Sequence, residues 1–362
     1  MSGPSRAAPA PRAAEPTGLD LEAALRSVRS LLAPTPLLPS PELSHRLAAP
    51  VLLKLENLQV TGSFKVRGAV AKLLSLPEEA RGRGVVACSS GNHALAVAWA
   101  ARRLGVPATV AVPSWIDPLK LTSIHGLGAE VVLAGDGYDE AERVAARLAA
   151  ERGLEPVHPF DDPVVAAGQG TLALEILEER PDVGTVVVPL SGGGLAGGVA
   201  FALRRAAGGV RTVAASAERA RVMLESLRQG RALELPDEET LASALSGGIG
   251  LPNRVTLALV RELVDEHVVV EEDAIARAMA WAFRSARLVV EGGGAVGLAA
   301  LLEGAVAAGD ARPLVVVVSG GNVSGAVLRR VLEGAGPDPG ARGPARRPAP
   351  TSGAPPPPGP RP

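Results

Sequence analysis

The chain has 362 residues, of which 47% are hydrophobic, and its formal net charge is −1 at pH 7. This length and composition predict one large or two medium domains with full cores, and they give no electrostatic reason to expect nucleic acid or an anionic membrane as a partner. The single cysteine, Cys88, excludes an intrachain disulfide framework and a cysteine cluster for zinc, and it is typical of a reducing cytoplasm.

The two ends of the chain differ in composition from its centre. Residues 1–18 are rich in Ala, Pro and Arg and lack the apolar segment of a secretory signal, and residues 334–362 consist mostly of Pro, Gly, Arg and Ala. Both ends have too little apolar surface to offset the entropy of ordering. We therefore predict that both are disordered and that the folded part lies between them.

Between these ends, short apolar strands alternate with helices. The predicted strands are residues 51–55, 85–88, 108–112, 131–134, 185–188, 210–215 and 314–318. The predicted helices are residues 19–32, 64–74, 92–104, 118–127, 139–152, 168–179, 195–207, 220–230, 255–264, 272–286 and 294–308. This alternation predicts βαβ units around parallel sheets, with a site at the carboxyl ends of the strands. No apolar run approaches the length of a membrane span.

Lys65 follows Gly62, Ser63 and Phe64 at a predicted junction of strand, loop and helix. It is one of four lysines in a chain whose other basic side chains are arginines. A neutral lysine amine attacks carbonyl groups and forms Schiff bases, which a guanidinium cannot do. Taken alone, Lys65 is better explained as a solvated charge in the first turn of a helix.

Four glycine-rich or small-residue junctions accompany this lysine. Gly192, Gly193 and Gly194 follow a strand and open a helix, so their N–H groups can converge on a phosphate, although the loop matches neither the P-loop nor the dinucleotide fingerprint. Ser89 to His93 form either a helix cap or a nest for a carboxylate. Glu291–Ala295 and Ser319–Asn322 are the other two junctions. Together the five features describe a cofactor with a phosphate at one end and an aldehyde at the other, which fits pyridoxal phosphate.

This combination of motifs resembles the threonine/serine dehydratase group of pyridoxal-phosphate enzymes over residues 35–324. The resemblance implies the α/β architecture of fold type II, with two parallel-sheet domains and the cofactor between them. It implies a large cofactor-binding domain of residues 19–76 and 157–333, a small domain of residues 77–156, and a homodimer. Lys65 would form the internal Schiff base and remove the substrate α-proton. The other implied cofactor contacts are Phe64, Asn92, Gly192, Gly193, Gly194, Glu291 and Ser319, and the implied substrate contacts are Ser89, Ser90, Gly91, Asn92 and His93.

The activity implied by the resemblance is removal of water from a hydroxy-amino acid, giving a 2-oxo acid and ammonia. Three alternatives stay open: a serine-racemase-like enzyme in which Ser90 is the opposite-face acid and base, a β-replacement enzyme, and a cofactor-binding sensor without activity. Ser216 and Val222 stand where relatives with an activating cation carry ligands, so we expect no metal. Some segments resemble more closely the dehydratases of hydroxyectoine utilisation.

Overall fold

The computed structural model describes residues 18–334, except residues 115, 117, 136–137 and 310. Residues 1–17 and 335–362, which make up most of the two ends predicted to be disordered, lie outside the described residues. The strands are β1 Leu37–Pro39, β2 Val51–Leu55, β3 Val85–Cys88, β4 Ala108–Val112, β5 Glu130–Leu133, β6 Glu155–Pro156, β7 Thr185–Pro189, β8 Arg211–Ala217, β9 Glu266–Val270 and β10 Leu314–Val318.

The helices alternate with these strands, and a 3₁₀ turn, Glu56–Leu58, follows β2. The helices are α1 Leu21–Leu31, α2 Pro41–Leu47, α3 Lys65–Ser75, α4 Glu78–Arg83, α5 Asn92–Leu104, α6 Pro118–Gly126, α7 Tyr138–Arg152, α8 Pro163–Glu179, α9 Gly194–Ala206, α10 Val222–Gln229, α11 Thr256–Leu263, α12 Glu272–Arg284, α13 Gly292–Leu302 and α14 Gly325–Gly334.

The strands form two sheets. One sheet has the order β1-β2-β10-β7-β8-β9, in which only the short edge strand β1 runs antiparallel. The other has the order β5-β4-β3-β6 and is parallel throughout. Strands β2, β7 and β10 are buried along their whole length, as expected for parallel strands with helices on both faces. The predicted α/β fold class is confirmed.

Each sheet is built from a different part of the chain. Strands β3 to β6 of the four-stranded sheet lie between residues 85 and 156, and the six-stranded sheet takes strands from both sides of that interval. The division into a large and a small domain with the boundaries given above stays a prediction. Within the part of the chain that the structure describes, none of the helices is both long and apolar enough to span a membrane.

Several elements differ from the predicted ones. Helix α8 begins at Pro163 rather than at residue 168, because the Asp162 carboxylate accepts hydrogen bonds from the N–H groups of Val164 and Val165 and caps the helix. Helix α13 ends at Leu302 rather than at residue 308, and Gly304 just beyond it has a φ of +72°. Strand β9 is absent from the prediction because it is a short edge strand that carries polar residues. The short helices α2 and α4, strands β1 and β6, and helix α14 are also absent from it.

Candidate active site

Two distant loops meet at the carboxyl ends of the neighbouring strands β2 and β10. Ser63 and Gly320 form a β-bridge, the Phe64 N–H donates to the Ser319 carbonyl at 3.1 Å, and the Gly321 N–H donates to the Gly62 carbonyl at 2.9 Å. An isolated antiparallel bridge therefore joins the loop after β2 to the loop after β10, just beyond the parallel pair of strands. Because Lys65 is the first residue of α3, this contact determines where its side chain begins.

The Lys65 amine is the most reactive group near this junction. Its Nζ atom donates a hydrogen bond to the Pro159 carbonyl at 2.8 Å and lies 5.3 Å from the centre of the Phe64 ring. Burial lowers the pKa of Lys65 from 10.5 to about 8, with the negative charge of Glu291 acting in the opposite direction. About one tenth of this amine is therefore neutral and nucleophilic at pH 7.

Two other lysines have a different environment. Lys54 is completely buried and pairs with Glu175 at 2.6 Å, and Lys72 pairs with Asp162 at 2.7 Å. Each of these two ammonium groups thus lies against a carboxylate, whereas the Lys65 amine donates to a neutral backbone carbonyl. The distinction that the sequence suggested for Lys65 among the lysines has a physical basis in these contacts.

The glycines of the β7–α9 loop leave space for a neighbouring aromatic ring. A Cβ at position 192 would lie 2.4 Å from Phe160 ring carbons, and one at position 194 would lie 3.0 Å from the Phe160 backbone. Gly193 has a φ of +86° and is the N-cap of α9, which carries no acidic residue in its first turn. Ser191, which precedes them, donates its hydroxyl to the Leu245 carbonyl at 2.8 Å. The loop thus presents a positive helix end that is suited to a phosphate.

Residues 158–162 form a turn to which no motif in the sequence assigns a role. Pro159 accepts the Lys65 hydrogen bond, and Phe160 packs on the glycine loop. The Asp161 carboxylate accepts the N–H groups of residues 254, 255 and 256 at 2.8–3.0 Å, which caps α11 from another part of the chain. The His158 ring nitrogen Nδ1 accepts the N–H of Asp161 at 2.8 Å. The turn therefore connects the amine, the glycine loop and α11.

The segment Ser89–His93 connects β3 to the start of α5. Ser89, Ser90, Gly91 and Asn92 are partly exposed, and Gly91 is the N-cap of α5, with no side-chain hydrogen bond at the cap. The N-terminus of this helix is therefore oriented as a carboxylate site requires. His93 is buried and its Nε2 atom lies 2.8 Å from the Val157 carbonyl, while burial, together with the charge of Lys65, lowers its pKa to about 3. Its neutral ring is thus held by that carbonyl through Nε2.

Glu291 lies between the start of α5 and the loop after β10. Its Oε1 atom accepts a hydrogen bond from Asn92 Nδ2 at 2.6 Å, and its N–H donates to the Gly320 carbonyl at 3.1 Å. Burial raises the pKa of Glu291 to about 7, although the Asn92 hydrogen bond and the charges of Lys120 and Lys65 act to lower it. This carboxyl group can therefore be neutral or ionised near neutral pH.

A buried charge network behind Lys65 was not predicted. Arg67, two residues further along α3, is bidentate to Glu56 at 2.7 and 2.8 Å and to Glu175 at 2.6 and 2.8 Å, and Lys54 also donates to Glu175. All four side chains are at most 2% exposed. Burial opposes ionisation, but the hydrogen bonds and charge of Arg67, with the charge of Lys54, hold the pKa of Glu175 below its ordinary value. The two cations and two carboxylates fix the first turn of α3 against β2 and α8.

The residues at this junction fit a phosphorylated aldehyde cofactor. Lys65 supplies an amine of lowered pKa, and Gly192–Gly194 supply a cradle that a Cβ would fill. Among the described residues, the buried Ser63 hydroxyl also lacks a hydrogen-bond partner, and it lies two positions before Lys65. Ser319 is 4% exposed beside Phe64. The structure thus places all four predicted junctions and the lysine at one place, while the role of each residue stays a proposal.

Comparison with known proteins gives an independent result. The family model for pyridoxal-phosphate dependent enzymes matches residues 28–320. The L-threonine ammonia-lyase of Thermotoga maritima is 42% identical over 313 residues, which are 86% of this chain and 77% of that protein. The solved threonine deaminase of T.th. has a TM-score of 0.76 at 40% identity, covering 84% of this chain and 97% of that one. Maize serine racemase has a TM-score of 0.81 at 33% identity, covering 87% and 97%.

Proposed function

This chain belongs to the family of pyridoxal-phosphate dependent enzymes, and we propose that it is a lyase that converts threonine or serine to a 2-oxo acid and ammonia. The observation that carries the proposal is the half-buried Lys65 amine, which has a pKa lowered to about 8 and donates to Pro159, the neighbour of the Phe160 that packs on the Gly192–Gly194 cradle. The similarity to named threonine ammonia-lyases over most of the chain supports the choice of reaction and substrate.

Pyridoxal phosphate, when bound, would supply an electron sink for the negative charge left at the substrate Cα atom after loss of a proton. Lys65 would hold its aldehyde end, the N–H groups of Gly192–Gly194 its phosphate, and Phe64, Asn92, Glu291 and Ser319 its ring. These contacts are proposals that rest on the positions of the residues around one junction.

Two parts of the chain would act on the substrate. The N-terminus of α5, with Ser89–His93, would bind the substrate carboxylate through N–H groups and the positive helix end. The Lys65 amine, once free, would accept the α-proton, since a base with a pKa of about 8 is well matched to neutral pH. The partly buried position of these groups limits the access of water to them.

The central test compares two lysine variants on the same helix. Purified protein incubated with L-threonine or L-serine should release one 2-oxo acid and one ammonia per amino acid, and the protein should absorb visible light. We expect Lys65→Ala to abolish that absorbance and to lower the rate by at least about 10²–10⁴-fold, whereas Lys72→Ala retains both. A wild-type protein that stays colourless with cofactor present would refute the cofactor assignment. A coloured protein that releases no oxo acid would refute the lyase.

A serine-racemase-like activity is the second candidate. It is favoured by the position of Ser90 beside the N-terminus of α5 and by the similarity to maize serine racemase. Chiral chromatography after incubation with L-serine would detect D-serine if this activity is present. We expect Ser90→Ala to stop D-serine formation while oxo-acid release continues, if Ser90 is the opposite-face acid and base.

The predictions on the hydroxyectoine branch, β-replacement, assembly, location and metal dependence also stay proposals. Adding hydroxyectoine-derived amino acids to the same assay tests the hydroxyectoine branch, and adding sulfide with an activated serine tests β-replacement. We expect a homodimer in sedimentation experiments and a cytoplasmic location. Ser216, at one of the positions where relatives carry cation ligands, is buried and directs its hydroxyl to the Leu190 carbonyl at 3.4 Å. That the enzyme needs no added metal stays an expectation.

A further inference from the structure

Asn322 touches both sides of the candidate site. Its Nδ2 atom donates to the Thr61 carbonyl at 2.8 Å and to Asn92 Oδ1 at 2.7 Å, so both amide hydrogens have an acceptor. Thr61 lies in the loop before Lys65, and Asn92 begins α5 beside the four-stranded sheet. One side chain therefore joins the loop after β10, the Lys65 loop and the start of α5.

This contact decides the orientation of the Asn92 amide. The carbonyl oxygen of Asn92 accepts from Asn322, so its Nδ2 atom faces the other way and donates to Glu291 Oε1 at 2.6 Å. If the Asn92 amide were reversed, two Nδ2 donors would face each other, and its carbonyl oxygen would face a carboxylate oxygen. Asn92 thus presents N–H groups towards Glu291 only while Asn322 acts as a donor.

The loop before Lys65 is shaped to admit the Asn322 side chain. A Cβ at position 62 would lie 2.2 Å from Asn322 Oδ1 and 2.9 Å from its Cγ atom. Gly62 also has a φ of +73°, which side chains with a Cβ rarely adopt. Position 62, before Ser63, therefore requires glycine for two reasons: the positive φ and the space occupied by the amide of Asn322.

We propose that Asn322 is a positioning residue that holds the Asn92 amide in its donor orientation towards the cofactor site and ties that amide to the Lys65 loop. The inference rests on the proposed function, in which Asn92 binds the cofactor ring. It assigns Asn322 an effect on cofactor binding that passes through Asn92 rather than through direct contact. Glu291 would receive one Asn92 hydrogen and leave the second for the cofactor.

A double-mutant cycle on cofactor affinity tests this assignment. The dissociation constant of pyridoxal phosphate is measured by absorbance and fluorescence titration of the apoprotein for wild type, Asn322→Ser, Asn92→Ala and the double variant. We expect Asn322→Ser to weaken binding about tenfold in the wild-type background, which corresponds to loss of about one oriented hydrogen bond. In the Asn92→Ala background the same substitution should change binding by less than about twofold.

An equal loss in both backgrounds, or unchanged affinity in Asn322→Ser, would overturn the proposal. If Asn322→Ser does not fold, the same cycle is run with Asn322→Asp, which keeps the size of the side chain but has no Nδ2 donor, and its effect should likewise be suppressed by Asn92→Ala. A wild-type protein that fails to bind the cofactor would overturn the proposed function itself. A protein that binds it with additive losses would overturn only the role of Asn322.

Discussion

The lowered pKa of Lys65 predicts a characteristic pH dependence for covalent capture of the cofactor by the apoprotein. Only the neutral amine attacks an aldehyde. With a pKa of about 8 rather than 10.5, the neutral fraction at pH 7 is about one tenth rather than about one in three thousand, a difference of roughly 300-fold. We therefore expect capture to become faster as the pH rises to about 8 and to level off above it.

Stopped-flow absorbance with substoichiometric pyridoxal phosphate would measure this rate between pH 6 and 10. The cofactor has ionisations of its own, so each rate is divided by that of Nα-acetyl-lysine at the same pH. This ratio should stay level up to about pH 8 and then fall about tenfold per pH unit, because the free lysine continues to deprotonate up to its ordinary pKa. A ratio that stays constant across the whole range would contradict the environment described for Lys65. Lys65→Ala serves as the blank.

The charge of Glu291 provides a second perturbation of the same quantity. Its carboxylate acts to raise the pKa of Lys65, against the effect of burial. Glu291→Gln keeps the size and the acceptor oxygen but removes the charge, so the pKa of Lys65 should fall further and the break in the ratio should move to lower pH. A break that moves to higher pH would show that Glu291 acts on Lys65 by another route.

Three further predictions concern the supports of the site. Gly192→Ala should weaken cofactor binding about tenfold or more, because the new Cβ meets the Phe160 ring, and Phe160→Ala should restore part of the loss in an affinity titration. The Glu291 carboxyl binds more protons in the folded than in the unfolded apoprotein between pH 4.5 and about 7, so wild-type stability falls as pH rises through that interval. The free energy of unfolding of Glu291→Gln, taken relative to wild type, should therefore be higher at pH 8 than at pH 4.5 by about 1–2 kcal/mol after allowance for partial exposure, as measured in urea titrations. The same variant-minus-wild-type difference at both pH values would contradict this. Arg67→Met leaves two buried carboxylates without their main partner and should lower the free energy of unfolding by about 3–5 kcal/mol, whereas an exposed control, Arg26→Met, should change it by less than about 1 kcal/mol.

Local sequence patterns were sufficient for the parts of the site that lie at ends of elements. Lys65, Gly192–Gly194, Ser89–His93 and Ser319 each follow a strand or open a helix, and the carboxyl ends of parallel strands lie on one edge of a sheet. For the residues of the six-stranded sheet their convergence followed from the βαβ pattern, and for Ser89–His93, on the four-stranded sheet, it followed from the expectation of a site between two α/β units. The start of α8, which the Asp162 carboxylate caps, was placed too late, at residue 168 rather than at Pro163.

The buried charge network behind Lys65 could not be predicted in this way. Lys54 and Glu175 are 121 residues apart in the chain, and Arg67 and Glu175 are 108 apart. Periodicity describes which face of an element is apolar, but it carries no information on which distant charges meet. One signal was present: Lys54 interrupts a five-residue strand that is otherwise apolar, and a charge at such a position requires a buried partner. Which residue is that partner is known only from the fold.

The contacts around Lys65 divide the site into a part that is firmly held and a part joined to it by few polar contacts. On one side, Arg67 and its carboxylates fix the first turn of α3, and Gly68 lies against Gly168, where a Cβ would come within 2.7 Å. Helix α3 and the loops that meet it therefore have little freedom to move, which suits an amine that must meet an aldehyde in one geometry. Asn92 belongs to the other side, at the start of α5. Its hydrogen bonds to Asn322 and Glu291 cross between the sides, so under the proposed function the orientation of one amide would set how the substrate-binding segment faces the amine.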